Sequence, residues 1–143
     1  MRNFSEAEFQ GWLPVMSPKL LLRLDRLRDE WCKAISISKA KGAVGRLGKG
    51  ESQHNVKRWG ECRAVDIFPK GIDTADDARQ FIEFCKLVGF TGIGFYPQWT
   101  KPGFHVDVRD GDHIATWGAY YELGGQRYYS IEEALEDFQD GTI

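Results

Sequence analysis

The sequence contains few cysteines, and their arrangement excludes two kinds of structural support. Cys32, Cys62 and Cys85 are odd in number and widely spaced. They can form neither a closed disulfide framework nor a Cys-x-x-Cys zinc-binding pair. We therefore expect reduced thiols and a fold that is stabilised by its hydrophobic core.

Long apolar runs and an excess of positive charge are also missing. No stretch approaches the roughly 20 apolar residues of a membrane span, or the apolar core of a signal peptide. Lysine and arginine total 19 against 21 aspartate and glutamate residues, so the chain lacks the basic excess of many nucleic-acid-binding proteins. We expect no membrane insertion and no nucleic-acid partner.

The length and composition predict one globular domain. A chain of 143 residues can enclose a single hydrophobic core, and 42% hydrophobic with 28% charged residues is the balance of a folded soluble protein. We therefore expect a single domain over residues 1–143 that acts as a monomer.

The pattern of apolar residues divides the chain into a helical N-terminal part, about residues 1–33, and a mixed remainder. Ser17-Pro18 is a typical helix start, and leucines follow it at helical spacing. The acidic run at residues 73–77 begins a second helix, which Gly89 would end. Strands are predicted at residues 34–38, 62–68, 92–96, 104–109 and 113–117, and a closing helix at residues 131–138. This order predicts an α+β fold with a mainly antiparallel sheet flanked by helices.

Two of the three histidines lie in short motifs associated with aspartates. His54 precedes the motif that contains Asp66, and His105 shares a motif with Asp107. A catalytic zinc site needs three nitrogen or oxygen ligands and an open fourth position, and His54, Asp66 and His105 supply such a set. Alternate residues of a strand face the same side, so Asp107 is expected beside His105. Spacing alone leaves open that these histidines are ordinary surface or core residues.

Four elements occur in an order that resembles a known enzyme family. They are Ser52-x-His54, Arg63-Ala64-x-Asp66-Ile67 after Gly60, Gly92-x-Gly94-x-Tyr96-Pro97, and Phe104-His105-Val106-Asp107-Val108. Together they resemble the zinc D-Ala-D-Ala carboxypeptidases and the phage endolysin L-Ala-D-Glu peptidases, which are related in fold to the hedgehog signalling domain. The resemblance covers about residues 34–118, the expected catalytic region.

The resemblance implies a zinc peptidase with a hedgehog/DD-peptidase-type fold. Its zinc ligands would be His54, Asp66 and His105, and its substrates the stem peptides of bacterial peptidoglycan. With no signal peptide, we expect synthesis in the cytoplasm and action on the cell wall after release or delivery, for example through a holin or on a phage tail. Phage lysis, phage entry and bacterial cell-wall remodelling all remain open.

Two features depart from the family pattern. The family's first histidine and its aspartate are closer in sequence than His54 and Asp66, so residues 55–59 resemble an insertion that must bulge outward. The family often places a catalytic glutamate three residues before the last histidine ligand, where this chain has Pro102. Asp107 is the nearest suitable carboxylate, and we expect it to act either as general base or as the partner that orients His105.

Other residues near the motifs are candidates for substrate contact or proton transfer. The resemblance implies that Ser52 and Gln53 bind substrate, and Arg63 belongs to the same group of motifs. Tyr96 could donate a hydrogen bond to the substrate or only pack. His113 could return to the site through hairpin pairing and take part in catalysis, or be an ordinary surface histidine.

Residues 39–50 carry four glycines and four basic residues. The spacing excludes a Walker phosphate-binding loop, because five residues separate Gly42 from Gly48 and a glycine follows the lysine. We expect a mobile basic flap over the cleft whose cations meet carboxylates of the stem peptides, with a solvated loop as the alternative. These cations are Lys39, Lys41, Arg46 and Lys49.

Two other functions fit parts of the pattern. His105-x-Asp107 resembles the opening of the two-histidine-one-carboxylate triad of a non-haem iron oxygenase, but here the second histidine, His54, lies upstream. A non-catalytic module of the same fold, binding the cell wall or a protein, is the stronger alternative because the family's glutamate is missing.

Overall fold

A computed structural model describes residues 1–140 as one compact α+β domain. Two short 3-10 helices, Glu6–Phe9 and Leu13–Val15, precede the main elements. The helices are α1 (Pro18–Trp31), α2 (Val56–Trp59), α3 (Ala75–Val88) and α4 (Ile131–Asp140). The strands are β1 (Ile35–Ile37), β2 (Ala64–Pro69), β3 (Gly92–Tyr96), β4 (Gly103–Asp107), β5 (Ala115–Glu122) and β6 (Gly125–Tyr129). Within the described residues, no helix has the length and apolar character needed to cross a membrane.

The strands form one mixed sheet in the order β1-β2-β4-β3-β5-β6. β3 and β5 run parallel, and the other neighbouring strands run antiparallel. The α+β class and the mainly antiparallel sheet are therefore confirmed. The prediction of a hairpin between β4 and β5 is wrong. β4 pairs with β2 on one edge and with β3 on the other, and β5 pairs with β3 instead.

The hydrophobic core lies between one face of the sheet and the helices α1, α3 and α4. Alternate residues of the central strands point into it, as the two-residue period of a strand requires. The fully buried strand residues of this face are Val65, Ile67, Ile93, Phe95, Phe104 and Val106. The residues between them face the opposite side of the sheet, which is therefore the side that carries the polar motifs.

The predicted helix ends are confirmed by their capping contacts. The Ser17 hydroxyl accepts a hydrogen bond from the Leu20 N–H at the start of α1. Thr74 and Asp77 form a reciprocal capping box at the start of α3. Gly89 ends α3 at a φ of 101°, a left-handed conformation that glycine adopts without a steric penalty.

The glycine-rich segment, residues 39–50, is not a flap along its whole length. Ala43 and Val44 are buried in its centre, and the Ala43 carbonyl accepts a hydrogen bond from the Asp66 N–H at 2.9 Å. The Arg46 N–H donates to the His54 carbonyl, also at 2.9 Å. The expectation of a mobile flap is therefore wrong for the centre of the segment, because its two apolar residues anchor it beneath the polar motifs.

The insertion after His54 does bulge outward, as expected. It forms the single turn α2, whose Lys57 and Arg58 are exposed. The Asn55 side-chain oxygen caps this turn, accepting hydrogen bonds from the N–H groups of both. The Asn55 side-chain nitrogen donates to the carbonyls of Gly48 and Gly50, both at 3.1 Å, so one buried amide fixes the position of the loop on each side of His54.

Candidate metal centre

A row of four paired residues crosses the polar face of the sheet. Asp66 on β2 lies opposite His105 on β4, His105 lies opposite Gly94 on β3, and Gly94 lies opposite Trp117 on β5. Paired residues of neighbouring strands point to the same face. The register of the sheet therefore brings the Asp66 carboxylate, the His105 imidazole and the Trp117 indole together.

Two glycines of β3 leave space for these side chains. A Cβ atom at Gly94 would overlap the indole of Trp117, and a Cβ atom at Gly92 would overlap the carboxylate of Asp107. Neither glycine has a backbone conformation that requires glycine. The Gly92-x-Gly94 motif is therefore explained by close packing over the strand.

His54 reaches the same point from the loop before α2. Its backbone N–H donates to the Ser52 hydroxyl at 3.2 Å, and its side chain is 2% exposed. Its Nδ1 lies 2.7 Å from the Val44 carbonyl oxygen. Because a carbonyl only accepts hydrogen bonds, Nδ1 carries a proton, and the opposite ring nitrogen, Nε2, faces Asp66 Oδ1 at 3.2 Å.

The His105 ring is oriented in a corresponding way from the other side. Its Nε2 donates to Asp107 Oδ2 at 2.7 Å, and its Nδ1 lies 3.2 Å from the same Asp66 oxygen that faces His54. One ligand atom each of His54, Asp66 and His105 lies within 4.8 Å of the other two, and all three residues are buried. This group could bind a metal ion, because two imidazole nitrogens and a carboxylate oxygen converge on one point.

The outer hydrogen bonds are those that metal sites use to hold their histidines. A histidine ligand usually donates its second N–H to a carboxylate or a carbonyl, which fixes the tautomer and the ring orientation. Here Val44 supplies the carbonyl for His54, and Asp107 supplies the carboxylate for His105. The residues present therefore fit a bound divalent cation.

Asp107 is itself completely buried and held on both oxygens. Arg109 donates through Nε to Oδ1 at 2.9 Å and through Nη2 to Oδ2 at 2.6 Å, while His105 donates to Oδ2. Burial raises the pKa of Asp107, but the hydrogen bonds from Arg109 and His105 outweigh it and hold the pKa well below its usual range. Asp107 does not line the cleft above the site. Of its two expected roles, this geometry fits the orientation of His105.

The two carboxylates also determine the protonation of His105. Burial lowers the pKa of His105, but the hydrogen bonds to Asp107 and Asp66 raise it to about 9. Burial raises the pKa of Asp66, but hydrogen bonds with His105 and His54 outweigh it and lower the pKa to about 2. At neutral pH without metal, His105 is therefore an imidazolium ion between two carboxylates, and a proton lies where a cation would bind.

A cleft with a volume of about 480 Å³ opens above the group. Its walls include Tyr96, Trp99 and Trp117, and the rings of Tyr96 and Trp99 stack with centroids 4.2 Å apart. The Trp117 N–H donates to the Tyr96 hydroxyl oxygen at 2.9 Å, so the Tyr96 O–H is the donor of this hydroxyl, with Tyr128 as a neighbouring hydrogen-bond partner. Burial raises the pKa of Tyr96 well above its usual value, so this hydroxyl stays protonated.

The remaining predicted residues divide between the cleft and the surface. Ser52 and Gln53 line the cleft, and the buried Gln53 Oε1 has no hydrogen-bond partner within residues 1–140. Arg63 does not line it, because its guanidinium pairs with Glu61 and Asp110.

His113 is placed outside the cleft as well. Its side chain is 95% exposed and lies 3.4 Å from Asp112 in the connection that carries the chain from β4 to β5. The expected return to the site depended on a hairpin between these strands, which does not form.

Several residues of the cleft were not found from the sequence. Glu51, Arg109, Gln126 and Tyr128 line it. Arg109 follows the Phe104–Val108 motif directly, and its spacing of two from Asp107 was a usable signal because residues two apart share a face. Gln126 and Tyr128 come from β6. The side chains of this strand are mostly exposed, so its sequence lacks the apolar alternation that predicts a strand packed on the core.

Comparison with protein-family models, with curated proteins and with solved structures finds no match in any of the three. The interpretation of this centre therefore depends on its own geometry, together with the motifs in the sequence.

The protonation of His105 predicts how metal affinity depends on pH. A metal ion must displace the His105 proton, whose pKa is about 9, so the affinity for Zn²⁺ should rise with pH up to about pH 9, with proton release on binding. Asp107→Asn should weaken binding about 10- to 100-fold if Asp107 orients His105. Calorimetric titration in buffers of different ionisation enthalpy measures both effects.

Asp110→Asn is the matched control for this titration, because Asp110 is 85% exposed and lies outside the cleft. It should bind Zn²⁺ as the wild type does. Affinity that is independent of pH, or equal in Asp107→Asn and the wild type, would contradict the assigned hydrogen bonds.

Proposed function

We propose that this chain is a zinc-dependent peptidase that hydrolyses peptide bonds in the stem peptides of bacterial peptidoglycan. The observation that carries the proposal is the convergence of His54 Nε2, an Asp66 oxygen and His105 Nδ1 beneath an open cleft. Catalytic zinc sites use three such ligands and keep a further position open to the substrate.

The substrate class and the finer fold type are supported by the motifs. They resemble those of D-Ala-D-Ala carboxypeptidases and L-Ala-D-Glu peptidases, and a hedgehog/DD-peptidase-type fold is part of the proposal. The polar cleft and the helix-covered face lie on opposite sides of the sheet, an arrangement compatible with that fold. Zinc would polarise the scissile carbonyl and lower the pKa of water, and the protein supplies the remaining groups.

Glu51 is the residue that we assign as the proton acceptor. Glu51 and Asp66 are the carboxylates that line the cleft within residues 1–140, and Asp66 belongs to the ligand group. The Glu51 side chain is 82% exposed and lies 3.6 Å from Arg58, a loose surface pair that leaves it able to turn toward the attacking water. Asp107 cannot take this role while Arg109 and His105 occupy its oxygens.

We assign two further side chains to the binding of the reacting peptide. Tyr96 is protonated and held by Trp117, so it can donate to the carbonyl oxygen as negative charge develops there. Gln53 Oε1 is buried and unpartnered within residues 1–140, and an unsatisfied buried acceptor costs about 1–3 kcal/mol. A peptide N–H of the substrate would supply the missing donor.

The alternative of a non-catalytic module is supported by one observation. The position three residues before His105 is Pro102, so the carboxylate that related enzymes often use for proton transfer is absent there. The two functions differ in product formation, which the following experiment measures.

Zinc-loaded protein should release new amino groups from purified sacculi, a chelator should abolish the release, and added zinc should restore it. His105→Ala should lose activity and metal together, because it removes one of three ligands. His113→Ala is the control and should retain both. Zinc-loaded, folded protein that releases no amino groups would contradict the peptidase and favour the binding module.

Glu51→Gln should lower kcat by a factor of about 100 to 10,000, the usual contribution of general acid–base catalysis, without weakening zinc binding. Glu61→Gln is the control, since Glu61 pairs with Arg63 and does not line the cleft. A Glu51→Gln enzyme with wild-type turnover would exclude Glu51 as the proton acceptor.

A further inference from the structure

The inserted turn α2 carries an aromatic side chain that lies outside the cleft. Trp59 is the last residue of this turn, and its side chain is half-buried. Its indole N–H donates to the Ser52 carbonyl oxygen at 2.9 Å. Ser52 directly follows Glu51, the residue assigned above as the proton acceptor. The indole therefore contacts the backbone next to the proposed catalytic carboxylate.

The backbone of Glu51 depends on this neighbour for its position. Within residues 1–140, neither the N–H nor the carbonyl of Glu51 forms a hydrogen bond. The Ser52 carbonyl, in contrast, accepts two hydrogen bonds, from the Asn55 N–H at 2.9 Å and from the Trp59 indole. Both donors belong to the insertion at residues 55–59. The insertion therefore holds the chain one residue away from Glu51.

The turn α2 is a fixed support for the indole. The Val56 N–H donates to the Arg46 carbonyl at 2.9 Å, which connects the start of the turn to the glycine-rich segment. The guanidinium groups of Arg58 and Arg63 lie over the Trp59 ring, 5.2 and 4.9 Å from its centre. Such cation–π contacts favour one placement of the ring. The indole N–H is therefore held in the direction of its acceptor.

We propose that Trp59 is a positioning residue for Glu51, and that its hydrogen bond to the Ser52 carbonyl keeps Glu51 at the edge of the cleft. This inference rests on the proposed peptidase function and gives the insertion, residues 55–59, a role in it. The Glu51 side chain can still turn toward the attacking water, because only the backbone beside it is held. A general base acts over a hydrogen-bond distance, so a displaced backbone reduces proton transfer.

The substitution Trp59→Phe tests this role, because it removes the N–H donor and keeps an aromatic ring for the two arginines. With soluble stem peptides released from sacculi as substrate, kcat should fall roughly tenfold, since the Asn55 bond to the same carbonyl remains. KM and the affinity for Zn²⁺ should stay close to those of the wild type, because the ligand residues and the hydrogen bonds of their outer nitrogens are unchanged.

A double-mutant cycle separates the positioning of Glu51 from a general loss of structure. In the Glu51→Gln background, Trp59→Phe should lower kcat little further, because the group that it positions is already inactive. Effects that multiply, or an unchanged kcat in Trp59→Phe, would overturn the inference while leaving the peptidase intact.

Trp31→Phe is the matched control. The Trp31 indole N–H also donates to a backbone carbonyl at 2.9 Å, that of Lys70, and Trp31 lies in α1 outside the cleft. This variant loses the same kind of hydrogen bond at another place in the fold. It should keep the wild-type kcat per folded molecule.

Hydrogen exchange followed by mass spectrometry gives a readout that does not depend on turnover. The amides of His54 and Asn55 donate to the hydroxyl and to the carbonyl of Ser52. They should exchange faster in Trp59→Phe than in the wild type or in Trp31→Phe. Faster exchange in a protein that cuts no peptide would count against the peptidase and retain Trp59 as the residue that holds this segment. Unchanged exchange would overturn the positioning role.

Discussion

The candidate centre depends on the hydrogen bonds that hold the outer nitrogens of its two histidines. The Val44 carbonyl accepts a hydrogen bond from the Nδ1–H of His54, and Asp107 accepts one from the Nε2–H of His105. Each bond leaves the other ring nitrogen directed to Asp66. The packed centre of residues 39–50 and the glycine motif of β3 serve this arrangement, because the first positions the Val44 carbonyl and the second makes room for Asp107.

Electrostatics connects the fold to the chemistry of the site. Asp66, Asp107, His105 and Arg109 form one buried or half-buried chain of alternating charge. Removing one partner of a buried pair typically costs about 3–5 kcal/mol, because an unpaired charge stays behind. Arg109 is therefore needed for stability as well as for the orientation of His105. In the metal-free protein the His105 proton balances the carboxylates, and a divalent cation would replace that proton.

Local signals in the sequence predicted the helices and most strands. The Ser17, Thr74 and Gly89 caps act within a few residues, so α1 and α3 could be placed from the sequence alone. Strand periodicity predicted that His105 and Asp107 point to the same side of the sheet. The family resemblance predicted that His54 and Asp66 lie together. The order of the strands could not be predicted, because it depends on which strand edges are available for pairing with β5, and this is set by contacts between segments far apart in the sequence. The placement of His113 failed for this reason.

Other errors came from judging a segment by its composition. Residues 39–50 were expected to be mobile because of their glycines and charges, yet Ala43 and Val44 were sufficient to anchor the centre. Arg63 was assigned to the cleft by its motif, but its ion pairs with Glu61 and Asp110 hold it outside the cleft. Tyr128 reaches the cleft through the pairing of β6 with β5, for which the sequence carries no local signal, whereas Glu51 directly precedes the Ser52-x-His54 motif and could have been found from it.

The most direct test of the central claim is a crystal structure of the zinc-loaded protein with anomalous diffraction data recorded at the zinc absorption edge. The account predicts one strong anomalous peak per chain within bonding distance of His54 Nε2, an Asp66 carboxylate oxygen and His105 Nδ1, with the Val44 and Asp107 hydrogen bonds retained. A peak bound by the opposite nitrogens of these histidines, a peak at His113, or no peak at saturating zinc would contradict it.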